Sequence, residues 1–311
     1  MKFSTVILLL SVSICQVYGG HRFGYSRAEQ RMWSRTHQGC SGKYQSPIAI
    51  SSGKAIPLTM PALEMVGYHN LLPGPILMHN NGHSVSLSIP KHTKEEVEGG
   101  AFMPYIFGGK LKNEYEFEGL HFHWGDKNNR GSEHVLNDIR FPMEMHIIHR
   151  NKKYANVSEA LEHPDGLTVL AFFYQLIEND GSELQNLVRN LPHIREYNQS
   201  ELMNTTFSLS SLLGNLDTER FYTYKGSLTT PPCSEAVTWI LFPDTLTVSV
   251  SQMSKFRHLS NGVEGSVLVD NYRALQPLNN RHIFVRKVNI KSTPLEGLNK
   301  EISYIKWDWL Y

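Results

Sequence analysis

His121 and His123 are spaced for joint chemistry. They lie in Leu120-His121-Phe122-His123-Trp124, just after an alternating run of polar and apolar residues. On a β-strand, residues two apart share a face, so the two imidazoles project side by side and Phe122 turns away. A second stretch, Met143-Glu144-Met145-His146-Ile147-Ile148-His149, also reads as a strand, with Glu144 and His146 on one face. A metal-bound histidine usually gives its other ring N–H to a carboxylate or carbonyl, which fixes its tautomer and orientation. His146 with Glu144 beside it therefore suits a third ligand and its support. Three neutral imidazoles leave one tetrahedral position on Zn²⁺ open, the pattern of a catalytic zinc rather than a structural one. The helical His-Glu-x-x-His arrangement is absent. His149 falls on the opposite face from His146 and is set aside. His134 is a rival third ligand on spacing alone.

Such a site needs strands to hold it, and the chain is written in strands. Ser84–Ile89 and Glu114–Glu118 alternate with the period of a half-buried strand. Leu167–Leu176 and Ala236–Phe242 are nearly continuous apolar runs and read as strands covered on both faces. Turn signals separate these runs, among them Asn80-Asn81-Gly82, Gly99-Gly100 and Asn128-Asn129-Arg130-Gly131. Helical pattern is sparse: Ser182–Asn190, and Ser251–Leu259 with Ser251 as its N-cap. The 311 residues could form two average domains or one large one. With no repeat and no linker, one mainly β (α+β) domain with short peripheral helices is the expectation.

Composition narrows the function classes. Apolar residues make up 41% and charged residues 19%, which supports a packed core and excludes disorder. The net charge of +1 leaves no electrostatic footprint for nucleic acid. Fifteen histidines are unusual in number, but it is their strand faces, not their abundance, that carries information.

Residues 1–19 read as a secretory signal: Met1-Lys2, an apolar run from Val6 to Val17, then Gly19-Gly20. That run is shorter than the roughly 20 apolar residues of a membrane span. Its cleavage would remove Cys15 and leave Cys40 and Cys233, an even count that in an oxidising compartment reads as one disulfide. Sequons at Asn156, Asn198 and Asn204 agree with a secreted, extracellular glycoprotein. Ile305–Tyr311 carries no apolar tail for a lipid anchor, and no later segment is expected to span a membrane.

Read in order, His121-Phe122-His123-Trp124-Gly125, Gly131-Ser132-Glu133-His134, Glu144-Met145-His146 and Gly226-Ser227-Leu228-Thr229-Thr230-Pro231-Pro232 closely resemble the α-class carbonic anhydrases. Gln45-Ser46-Pro47-Ile48 and Val269-Asp270-Asn271-Tyr272-Arg273 extend the resemblance from about residue 23 to about residue 290 within a domain of residues 20–311. It implies a single domain on a large, mostly antiparallel twisted sheet, with one Zn²⁺ at the bottom of a cone-shaped cleft. His121, His123 and His146 match the zinc ligands. Thr229 matches the threonine that accepts a hydrogen bond from zinc-bound hydroxide, and Glu133 the glutamate that takes the threonine's proton. A hydroxyl already donating to a carboxylate can only accept from the hydroxide, which aims the attacking lone pair.

The resemblance carries further roles. His83 matches the proton-shuttle histidine, suited to a proton relay near neutral pH, and Tyr25 and Asn81 match polar residues that order water on its path. Ile148, Val169, Leu228, Val237, Trp239 and Thr230 match the substrate pocket where CO₂ rests. The Thr229 amide is placed to steady developing negative charge. The carbonyl of Asn271 matches the support of His123. Cys40 and Cys233 match the disulfide of extracellular members, and Ser46–Pro47 and Pro231–Pro232 match cis bonds. Reversible hydration of CO₂ to bicarbonate follows, with sulfonamide and anion inhibitors expected at the zinc. A non-catalytic secreted binding protein on the same scaffold is the competing reading. Three positions depart from the usual pattern: Gly119 for a glutamine that orients the first histidine, Ser86 for a cleft asparagine, and Val157 for a rim aromatic.

Overall fold

A computed structural model describes residues 23–90 and 102–287. The proposed signal segment, Cys15 and the C-terminal stretch lie outside these residues. Among these residues fourteen strands carry the fold. The first six are β1 (Ala49–Ile50), β2 (Ile56–Thr59), β3 (Leu63–Val66), β4 (Ile76–Asn80), β5 (Val85–Ser88) and β6 (Tyr105–Gly108). The longest follow: β7 (Tyr115–Trp124), β8 (Val135–Leu136), β9 (Met143–Asn151) and β10 (Leu167–Ile177). The rest are β11 (Ser200–Met203), β12 (Tyr222–Gly226), β13 (Val237–Ser249) and β14 (Phe284–Lys287). Twelve of them form one mixed sheet, ordered β11-β4-β5-β7-β9-β10-β13-β12-β14-β2, with β3 and β6 attached beside β7; β1 and β8 pair separately. Most pairings in the large sheet are antiparallel; β10–β13 and β14–β2 are parallel.

The alternation in sequence becomes two packed faces. One face carries Leu87, Leu120, Phe122, Met145, Ile147, Leu170 and Phe172 into the main core. The other carries Ile148, Val169, Ala171, Phe173 and Trp239 into a second apolar cluster. β10 and β13 are covered on both sides, as their continuous apolar runs require. His121 and His123 emerge on the second face, beside that apolar cluster.

Among the described residues five short α-helices lie at the periphery: α1 (Arg27–Thr36), α2 (Val157–Ala160), α3 (Gln185–Asn190), α4 (Leu209–Leu213) and α5 (Val250–Arg257). Three differ from expectation. α1 was not foreseen, although Ser26 and Glu29 form a capping box that starts it. α3 begins at Gln185 rather than Ser182 and runs into a 3₁₀ turn over Leu191–Ile194. α5 is capped by Ser249, not Ser251: the Ser249 hydroxyl accepts the Gln252 amide at 2.9 Å, and the Gln252 side chain accepts the Ser249 amide at 3.1 Å. β13 runs directly into this box, so the helix starts where the strand ends.

Cys40 and Cys233 are bonded across a separation of 193 residues. Trp33 of α1 is buried against them, with Phe23 and Tyr25 at the edge of the cluster. Bonds at Ser46–Pro47, Gly74–Pro75 and Pro231–Pro232 are cis; Gly74–Pro75 was not foreseen. Among the described residues no helix is long and apolar enough to cross a membrane.

Candidate metal centre and cleft

Adjacent strands β7 and β9 place the three histidines. Cross-strand pairing sets His121 opposite His146 and His123 opposite Glu144. Directly opposed residues of an antiparallel pair face the same side, so the pleat of two strands brings three imidazoles together. Nε2 of His121 lies 3.0 Å from Nε2 of His123 and 3.3 Å from Nδ1 of His146.

Two of the far nitrogens are held. Nδ1 of His123 donates to the carbonyl of Asn271 at 2.7 Å. Nε2 of His146 donates to Oε1 of Glu144 at 2.7 Å. A neutral ring that donates at one nitrogen offers a lone pair at the other, so both inner nitrogens are acceptors. Burial lowers the pKa of His121, and the neighbouring His123 and His146 lower it further. Burial also lowers that of His146, against the pull of Glu144. Lone pairs thus converge on one point with too few protons to share between them.

Glu133 adds to that imbalance. It is fully buried; Oε1 accepts the amide of Arg273 at 2.8 Å, while Oε2 has no hydrogen-bond partner and lies 3.4 Å from Nε2 of His123. The expected bond from the Thr229 hydroxyl to Glu133 is therefore not formed. The carboxylate is turned by the Arg273 amide and lies against His123 instead. A converging set of imidazole lone pairs beside an unpaired buried carboxylate oxygen fits a bound cation, and three nitrogen donors with an open side suit Zn²⁺.

The rival third ligand is resolved by its contacts. His134 has both ring nitrogens engaged: Nδ1 with Glu144 Oε1 and Nε2 with the Tyr224 hydroxyl, each at 2.7 Å. Its backbone amide reaches the other Glu144 oxygen at 2.8 Å. His134, Glu144 and His146 also cluster closely enough to hold a metal, but these contacts make His134 a brace for Glu144. His149 faces away, bonded to Tyr68 at 2.7 Å.

A cleft of about 120 Å³ opens over the histidines. Tyr25, Asn81, His83, Ile148, Val169, Leu228, Thr229, Thr230 and Trp239 line it. Val237 does not: it is fully buried in the apolar cluster that also holds Trp239, two residues along β13, so its expected place in the pocket is corrected to core. His83 stacks on Phe23 with ring centres 3.8 Å apart. Asn81 turns the chain before it, its Oδ1 accepting the amides of His83 and Ser84 at 2.9 and 2.7 Å. Asn271 ties the parts together: its Nδ2 donates to the carbonyls of His83 and Phe122, and its Oδ1 accepts the Trp124 amide.

The three departures all line the cleft. Gly119 follows a bulge at Glu118, and a Cβ there would lie 2.9 Å from the Leu87 carbonyl. β5 approaches too closely for a side chain to be added without a shift, and no described residue bonds to Nδ1 of His121. Ser86 and Val157 leave neighbouring wall positions small.

Comparison with known proteins agrees with this geometry. The family model described as eukaryotic-type carbonic anhydrase matches residues 28–287. Carbonic anhydrase 6 of Canis lupus familiaris is 31% identical, over 98% of this chain and 95% of its own. Carbonic anhydrase 6 of Bos taurus is 31% identical over 93% and 87%, and carbonic anhydrase 7 of Mus musculus 34% identical over 85% and 96%.

Proposed function

Because this chain belongs to the eukaryotic-type carbonic anhydrase family and is a carbonate dehydratase, we propose that it hydrates CO₂ reversibly at one zinc ion held by His121, His123 and His146. The observation that carries this reading is the convergence of three ring nitrogens, with the outer nitrogens of His123 and His146 already bonded to Asn271 and Glu144. Zinc, when bound, supplies Lewis acidity and brings the pKa of a coordinated water towards neutrality, as is known of carbonic anhydrases.

The chain's own residues do the rest. Asn271 and Glu144 orient His123 and His146. Oε2 of Glu133, which has no partner in this structure, is the acceptor to which the Thr229 hydroxyl donates a hydrogen bond once the two side chains are brought together in the loaded site, leaving Thr229 Oγ1 to accept from the attacking group. Ile148, Val169, Leu228 and Trp239 give CO₂ an apolar wall and hold water off it; Thr230 borders the same pocket. His83 carries the released proton from the cleft at its imidazole, with Tyr25 and Asn81 along the path. Sulfonamides and small anions bind at the same metal position. A non-catalytic binding protein would not need Glu133, Thr229 and three converging imidazoles together.

Residues 1–19 serve as an export signal in this reading, and residues 20–311 form the secreted domain. The bonded Cys40–Cys233 pair and the exposed Asn156, Asn198 and Asn204 suit an oxidising, glycosylating route.

Stopped-flow CO₂ hydration with and without a zinc chelator tests the reading. Hydration is expected to be lost with the chelator and restored by zinc; hydration that survives complete zinc removal would overturn it.

A further inference from the structure

One buried histidine in the cleft wall has no part in the chemistry above. In β4, Ile76 and Met78 point into the main core, while Leu77 and His79 line the cleft. Strand pairing places His79 opposite Ser86, Ser86 opposite His121, and His121 opposite His146. Directly opposed residues face one side, so His79 shares a row with two of the proposed ligands. Two strand spacings put it about 10 Å from His121. Only Ser86 stands between them, and its small side chain leaves the row open.

His79 is 5% exposed. Its Nε2 lies 3.2 Å from Oδ1 of Asn198. That oxygen can only accept, so Nε2 carries the hydrogen and Nδ1 is a bare lone pair. Nδ1 has no hydrogen-bond partner. Burial lowers the pKa of the ring, against the Asn198 contact, so it stays neutral and keeps that lone pair. A buried acceptor left unpaired is costly, and an apolar residue would fill this wall without that cost.

We propose that His79 is a specificity-determining residue of the cleft, its Nδ1 accepting a hydrogen bond from an N–H or O–H group on a ligand anchored at His121, His123 and His146. The inference rests on the metal-centre reading above. The ligand class is an aryl sulfonamide, or another metal-binding head, with a donor on its tail.

The test uses the zinc enzyme and three probes: benzenesulfonamide, 4-sulfamoylbenzamide, which has amide N–H donors, and its N,N-dimethyl amide, which has none. Calorimetric affinities are compared between the wild type and His79→Leu. A neutral hydrogen bond predicts that the wild type favours the N–H amide by about 2- to 10-fold. His79→Leu should lose that preference and bind benzenesulfonamide as before. The same preference in both proteins would overturn the proposal. Should His79→Leu fail to fold, ¹⁵N spectra of the wild type decide. The His79 Nδ1 signal should move upfield with the N–H amide and not with the dimethyl amide; an unmoved signal refutes the assignment. If benzenesulfonamide itself does not bind, the metal-centre reading fails and this proposal with it.

Discussion

His134 and His146 donate to the same oxygen, Oε1 of Glu144, each at 2.7 Å. Burial alone would raise the Glu144 pKa, but the attraction and hydrogen bond of His134, with those of His146, hold it well below the usual carboxylate range. An ionised carboxylate only accepts, so both histidines must donate to it. That fixes the His146 tautomer with its Nδ1 lone pair turned to His121. His134, a rival ligand by spacing, thus acts through Glu144.

The same relationship predicts what loss of the brace does. His134→Ala should weaken zinc binding by about 10- to 100-fold while leaving three ligands in place. Competition with a fluorescent chelator measures this, and an unchanged zinc affinity would remove His134 from the supporting network.

Thr229→Val removes the hydroxyl and Glu133→Gln removes the charge that is to receive its proton. Each should lower kcat/KM for CO₂ hydration by on the order of 10²-fold, with zinc content unchanged. Because the two act as one unit, the double variant should be little worse than either single one. Additive losses would separate the two roles.

His83→Ala should slow turnover in dilute buffer by on the order of 10²-fold, and added imidazole should restore it. Unchanged turnover in dilute buffer would leave His83 only its stacking contact with Phe23.

Stability should depend on pH through His149. Burial lowers its pKa to about 3 in the fold, against about 6.5 in the unfolded chain. Below that unfolded value the unfolded chain binds a proton that the fold refuses. The His149 contribution is therefore complete above pH 6.5 and is lost progressively as pH falls towards 3, at about 1.4 kcal/mol per pH unit. Urea unfolding at several pH values should show a slope one proton shallower in His149→Gln. Equal slopes would contradict it.

Reduction should destabilise the fold. Closing a loop of 193 residues removes unfolded-state entropy worth about 5 kcal/mol in the chain-entropy account. Dithiothreitol should lower Tm, and mass spectrometry of the unreduced protein should find no free thiol on Cys40 or Cys233.

Much of the site was legible because a strand's period is 2: His121 with His123, and Glu144 with His146, follow from spacing alone. What spacing could not supply was which strands lie side by side. The β7–β9 pairing sets His121 against His146, and β4–β5–β7 brings His79 into the same row. Neither is written locally. His134 stayed ambiguous because its role is decided by Glu144, ten residues away. Val237 matched the pocket by motif but is fully buried beside Trp239 and does not line the cleft. The α1 capping box is written in the sequence as Ser26-x-x-Glu29, but α1 buries only Trp33 and so carries little apolar period to mark a helix.

Diffraction from the zinc-loaded protein, with data on both sides of the zinc absorption edge, places the metal directly. One anomalous peak is expected between Nε2 of His121, Nε2 of His123 and Nδ1 of His146. A peak among His134, Glu144 and His146 instead, or no peak from protein that hydrates CO₂ at full rate, would contradict the assignment.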